Sequence, residues 1–179
     1  MKNKYSSPLL LLLLMLPFYL HAADSKPRDV QQFFFDETFG DFSEELETAR
    51  ENGKLGILVM FEMDECPFCH RMKTTVLNQP DVQDYFKKYF TILPVDIEGD
   101  IEMVNFKGKT TTMKDFAYKE YRVRATPVFA FYDLDGKYIK RARYTGATRD
   151  KNEFLLLGKY VVEKQYLKQS FSRYKRSQR

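Results

Sequence analysis

The sequence predicts an α/β domain in which a mixed central β-sheet is flanked by helices. Three observations predict it. The run 56–61 (GILVMF) is continuously apolar, and its length and β-branched content suit a strand buried on both faces. Helical apolar spacing surrounds that run, through Leu46 and Ala49 before it and Met72, Val76 and Leu77 after it. Asp133-Leu134-Asp135-Gly136 is a hairpin signal between two more strand-like runs, 128–132 and 138–144. The order is β-α-β-α-β, then an antiparallel hairpin and a terminal helix, without internal repeats.

The elements follow in order along the chain. Lys2 and Lys4 precede the apolar run 9–20, and His21-Ala22-Ala23 offers small residues for cleavage after Ala22 or Ala23. We read 1–23 as a secretory signal peptide. The run is shorter than the roughly 20 residues of a membrane span, so no stable membrane insertion is expected after cleavage. Residues 24–35 form an N-terminal extension, polar and frayed to Gln32, with Phe33, Phe34 and Phe35 starting a short strand or docked segment. The main domain is expected over 36–169. Asp41 and Glu44 make a capping box for a short helix that Gly53 ends.

Pro67 suits the first turn of the helix after the buried strand, and Asn78-Gln79-Pro80-Asp81 separates it from a second helix with Val82, Tyr85, Phe86 and Tyr89 on its apolar stripe. The run 90–97 is the next strand, where Pro94 requires an edge position or a bulge. The stretch 99–112 is expected to be a surface hairpin or loop, 113–121 a short helix, and 150–169 the last helix. Arg173, Lys175, Arg176 and Arg179 give 170–179 the character of a solvated basic tail.

Composition narrows the function. Removing residues 1–23 from the 179 leaves 156, enough for one domain with a real core, and lowers the formal charge from +4 to +2. That balance gives no reason to expect a nucleic-acid partner. Cys66 and Cys69 are the only cysteines, and His70 is the only histidine beyond residue 23. Two cysteines and one histidine fall short of the usual four ligands of a structural zinc site, so no metal is expected. A disulfide between Cys66 and Cys69 closes a very small loop and constrains the unfolded chain little. A pair so placed suits switching better than stapling.

Residues 65–70, ECPFCH, carry two signatures. C-x-x-C-H attaches c-type haem, and C-x-x-C alone is a thiol–disulfide exchange motif. In the first reading His70 ligates iron, with Met103 or Met113 opposite. In the second, Cys66 stands at a helix start where free N–H groups and the helix dipole lower a thiol pKa. Asp64 and Glu65 oppose that effect, and a cationic His70 assists it. A buried strand running directly into the motif, with further strands beyond, favours the second reading. No cofactor is then needed. A non-enzymatic binding module is a third possibility, against which two intact cysteines argue.

The strand 56–61, the Cys66-Pro67-Phe68-Cys69 turn into a helix, and Thr126-Pro127 before a hairpin resemble the thioredoxin superfamily. Within it, the stretches 63–72, 121–127 and 171–176 resemble the SoxW-type periplasmic thioredoxins, associated with bacterial sulfur-compound oxidation. The resemblance implies a thioredoxin fold and an exported, periplasmic disulfide reductase. Cys66 attacks and Cys69 resolves. Pro127 is cis and faces the cysteines. Thr126 pairs with an extended substrate segment, and Pro67 and Phe68 line the site. Partners are periplasmic protein disulfides and a membrane thiol-electron donor that re-reduces the pair. An isomerase or oxidase of the same fold is the nearest alternative. The sequence departs from the family at Met60, which stands where thioredoxins usually carry a buried acid. Glu62 is either a substitute that works through water or an ordinary solvated strand end.

Overall fold

The structure, a computed structural model, describes residues 26–178. The expected signal peptide therefore lies outside the described residues. The four-stranded sheet runs β2-β1-β5-β6, built from β1 (Gly56–Glu62), β2 (Phe90–Asp96), β5 (Val128–Asp133) and β6 (Tyr144–Thr145). β1 pairs parallel with β2 and antiparallel with β5, and β5 pairs antiparallel with β6. This is the mixed sheet expected from the sequence. β1 is central, and only its last residue, Glu62, is not fully buried.

Period-2 alternation along the strands divides the core into two layers. Leu58 and Met60 face one layer with α3 (Pro67–Thr75), α4 (Pro80–Tyr89) and α6 (Lys151–Val162). Ile57, Val59 and Phe61 face the other with α2 (Phe42–Glu51). Two glycines permit close approach. A Cβ on Gly56 would lie 2.0 Å from the Tyr132 carbonyl oxygen, and one on Gly158 would lie 2.7 Å from Tyr85 Cε1 and 2.8 Å from Phe86 Cζ.

Pro94 occupies the edge strand β2, as its missing N–H requires. Part of the outward backbone of that strand is occupied. The Phe90 N–H donates to Phe86, the Ile92 N–H to the Asp36 carboxylate at 2.7 Å, and the Asp36 N–H to the Ile92 carbonyl at 2.8 Å.

The first and last described segments are more ordered than their polarity suggests. Asp29 caps α1 (Val30–Phe33), Arg28 pairs with Asp84 at 2.7 Å, and Val30, Phe34 and Phe35 enter the first core layer. The frayed extension is therefore corrected from Arg28 onward: buried apolar anchors outweigh a polar composition. The last helix does not run to 169. Lys164 adopts a left-handed φ of 52° and ends it, a 3-10 turn follows over Gln165–Leu167, and α7 (Phe171–Ser177) packs back. The expected solvated tail is thus a docked helix. Tyr174 is buried and donates to Glu163 at 3.0 Å, Phe171 lies against Tyr144 and Tyr160, and Lys175 pairs with Glu153 at 2.6 Å.

Of the remaining expectations, the hairpin over 99–112 holds and two change. The stretch 99–112 is the hairpin β3 (Glu102–Val104) and β4 (Thr110–Thr112), and 113–121 is a short α5 (Met113–Asp115) continued by a π-turn over Phe116–Glu120. The return strand 138–144 is broken. Tyr138 bridges Tyr132 and Tyr144 pairs with Phe129, so five intervening residues on one side face two on the other. A 3-10 turn over Lys140–Ala142 takes up the excess.

Candidate functional site

Glu62, Asp96, Val128 and Thr145 end or begin their strands at one end of the sheet. The Cys66 loop leaves from this end. The Phe61–Val128 pair puts Pro127 one position beyond the antiparallel register, at the same end. The Thr126–Pro127 peptide bond is cis, and the Pro127 carbonyl accepts from the Gly146 N–H at 2.8 Å.

Cys66 is the N-cap of α3, and Pro67 opens the helix. The cap uses sulfur where Ser or Asp would use oxygen: Cys66 Sγ accepts from the Cys69 N–H at 3.0 Å. The same free amides that satisfy a cap favour a thiolate. The two cysteines form a disulfide with 5.2 Å between Cα atoms. Cys66 is 5% exposed and Cys69 3%, whereas Phe68 between them is 58% exposed. Pro67 is exposed too, so the turn leaves Pro67 and Phe68 on the surface and keeps both cysteines buried.

His70 is an exposed residue on α3. The second haem ligand is not assembled around it: Met103 and Met113 belong to the core layer opposite the one containing Cys66 and Cys69. The Cys66–Cys69 disulfide also uses the sulfurs that would hold the porphyrin. Among the described residues no group of three His, Cys, Asp or Glu is placed to hold a metal, and no helix is long and apolar enough to cross a membrane.

Met60 is fully buried in the layer that holds both cysteines. Glu62, whose side chain is 14% exposed, is paired with Lys73 at 2.5 Å. It is neither a solvated strand end nor an isolated acid. Lys73 also lies over the Phe35 ring, 5.9 Å from its centroid. Cys69 and Lys73 are four residues apart on α3 and so share a helix face. That spacing was readable in the sequence, but the reach of Lys73 back to Glu62 depends on the angle between helix and strand.

Sequence reasoning missed two further ties. Arg71 on α3 donates to the Thr148 carbonyl, fixing the motif helix to the loop after β6. Arg143 donates to the Tyr121 carbonyl at 2.7 Å, fixing the loop that leads to Pro127. Thr126 Oγ1 is buried and has no hydrogen-bond partner. A cleft of about 390 Å³ lies elsewhere, lined by Leu55, Asp133, Val161 and Tyr166 at the opposite end of the sheet.

Residues 42–162 match the family described as the thioredoxin-like domain. No curated protein matches the chain. Among solved structures, it is similar in fold to a thioredoxin-fold protein from Helicobacter pylori, with 21% identity and a TM-score of 0.63 over 81% of this chain and 91% of that one. It is similar to a thioredoxin from Thermus thermophilus, with 25% identity and a TM-score of 0.50 over 68% and 84%. It is also similar to a candidate disulphide-isomerase from Bacteroides thetaiotaomicron, with 25% identity and a TM-score of 0.51 over 76% and 98%.

Proposed function

We propose, from the premise that this chain belongs to the thioredoxin-like domain family, that it works in the periplasm as a reductase of protein disulfides. Family and motif make the chain a thiol–disulfide oxidoreductase. The observation that carries the reading is the Cys66–Cys69 disulfide at the start of α3, with Cys66 Sγ at the cap.

Each residue then has a role. In the reduced protein the Cys66 thiolate attacks one sulfur of a partner disulfide, forms a mixed disulfide and expels the other partner sulfur as a thiolate. Cys69, as thiolate, attacks Cys66 Sγ. The second partner sulfur leaves, and the Cys66–Cys69 bond re-forms. Two electrons pass to the partner, and its two thiolates take protons. Thr126, beside cis-Pro127, holds an extended partner segment by its backbone, and Pro67 and Phe68 supply the apolar contact. Glu62 tunes this chemistry through Lys73, and His70 stands exposed next to Cys69 on the same helix.

The signal-like residues 1–23 support export, and in an oxidising compartment a reductase needs re-reduction, which we assign to a membrane thiol-electron donor. The stretches 63–72, 121–127 and 171–176 support a SoxW-type role with sulfur-oxidation proteins as clients. The reduction potential of the pair tests the direction: a value near about −270 mV supports a reductase, and one near about −120 mV an oxidase. Cys69→Ser should trap mixed disulfides in the periplasm. Reactivation of a scrambled disulfide protein without net reduction would point instead to an isomerase. Failure to trap any partner or reduce any disulfide sinks the enzyme reading.

A further inference from the structure

The loop that leads to Pro127 is cationic, and its backbone is unused. Among the described residues, no backbone hydrogen bond engages the N–H or C=O of Arg124, Ala125 or Thr126. Thr126 Oγ1 is also buried without a partner. The open backbone and the buried hydroxyl together leave hydrogen-bonding capacity that an arriving segment can use.

Arg122 precedes this free segment at φ 52°. Glycine adopts that conformation without steric penalty, and arginine does not. The turn is closed by the Arg122 N–H on the Tyr118 carbonyl at 3.1 Å and the Val123 N–H on the Ala117 carbonyl at 2.9 Å. The backbone here has the geometry of a glycine-ended helical turn, yet it carries an exposed guanidinium. Arg124 lies over the Tyr118 ring, 5.5 Å from its centroid. Neither Arg122 nor Arg124 forms an ion pair among the described residues. The segment 121–127 holds no acid. Asp64 and Glu65, on the Cys66 side, are exposed and likewise make no ion pair among the described residues. Two exposed acids therefore stand immediately before the attacking sulfur and two exposed arginines at the start of the free backbone, with Arg71 and Glu120 the opposite charges flanking each group.

We propose that Arg122 and Arg124 are specificity-determining residues that select disulfide partners carrying carboxylates on the segment laid along residues 124–126. The inference rests on the oxidoreductase reading above and adds the partner's charge. Two cations at a rim act on the encounter rate and on discrimination between partners, and salt weakens both. A partner segment rich in lysine meets like charge at the rim.

The test uses the reduced protein and three disulfide-bonded peptides of one length, flanked by Asp and Glu, by Ser and Gly, or by Lys. At low ionic strength the acidic peptide should be reduced roughly five- to tenfold faster than the neutral one. High salt should shrink that ratio. Arg122→Gln with Arg124→Gln should bring the ratio to about one, whereas Arg122→Lys with Arg124→Lys should retain it. Equal rates for acidic and neutral peptides, faster reduction of the basic one, or a ratio that survives the Gln pair would overturn the proposal while the oxidoreductase reading stands. Failure to reduce any of the three, or any generic disulfide, brings down both.

Discussion

Lys73 Nζ and Glu62 Oε2 lie 2.5 Å apart, joining the helix that carries both cysteines to the end of the central strand. The two charges act oppositely on a thiolate at Cys69, one helical turn from Lys73. Glu62→Gln removes the negative member, favours the thiolate and so favours the dithiol form. The reduction potential should become less negative by on the order of 10–30 mV. Lys73→Met should move it the other way and slow resolution of a mixed disulfide. Redox titration against glutathione checks both signs. Shifts in the same direction would dissociate the pair from the chemistry.

Met60 stands fully buried where the family usually places an acid. Met60→Asp puts a carboxylate among apolar neighbours, which raises its pKa in the folded state. An acid whose folded pKa is raised destabilises most above that pKa and not at all below its unfolded value. The ionisation penalty should therefore be absent near pH 3, where only the pH-independent loss of Met60's packing remains, and should add about 3 kcal/mol or more by neutral pH. Urea midpoints across that range decide it. A loss that is the same at every pH would mean a packing defect alone.

Gly158 should resist replacement by the best helix former. Alanine gains about 1 kcal/mol in intrinsic propensity. Its Cβ, however, would meet Tyr85 and Phe86 at 2.7 and 2.8 Å, and Phe86 is stacked on Phe154 at 4.4 Å. Overpacking of this kind costs about 1–3 kcal/mol, so Gly158→Ala should lower the thermal midpoint. An unchanged or raised midpoint would mean that the two rings move aside freely.

Glu153 makes the docking of α7 sensitive to acid. Burial alone would raise its pKa, but hydrogen bonds from Lys175 and the Arg149 N–H outweigh burial and hold it below the ordinary 4.5. Its contribution to stability is complete above the unfolded value and fades as pH falls through the lower folded one. Glu153→Gln should cost about 1–2 kcal/mol at neutral pH. The gap from the parent should close in acid, and amide exchange in α7 should quicken with it.

The central part of the fold and site was legible because local rules act there without competition. β1 is apolar on both faces, Pro67 and Cys66 begin a helix by themselves, and Pro94 admits few positions in a sheet. The chain ends were less legible, since the order of α7 comes from Tyr174 and Lys175 meeting Glu163 and Glu153, partners more than ten residues away in sequence. Lys73 reads as an ordinary surface lysine until the helix is laid against β1. Arg122 gives no hint of a left-handed backbone, because glycine normally announces such a turn.

The partly closed edge of β2 bears on how such a protein survives among unfolded clients. With Phe90 and Ile92 occupied and Pro94 lacking an N–H, that strand offers little template to a sticky chain. The opposite edge, β6, is two residues long. If the proposed function holds, strand addition is left to the unbonded stretch before Pro127, where a visiting chain would meet sulfur chemistry rather than a nucleus for polymerisation.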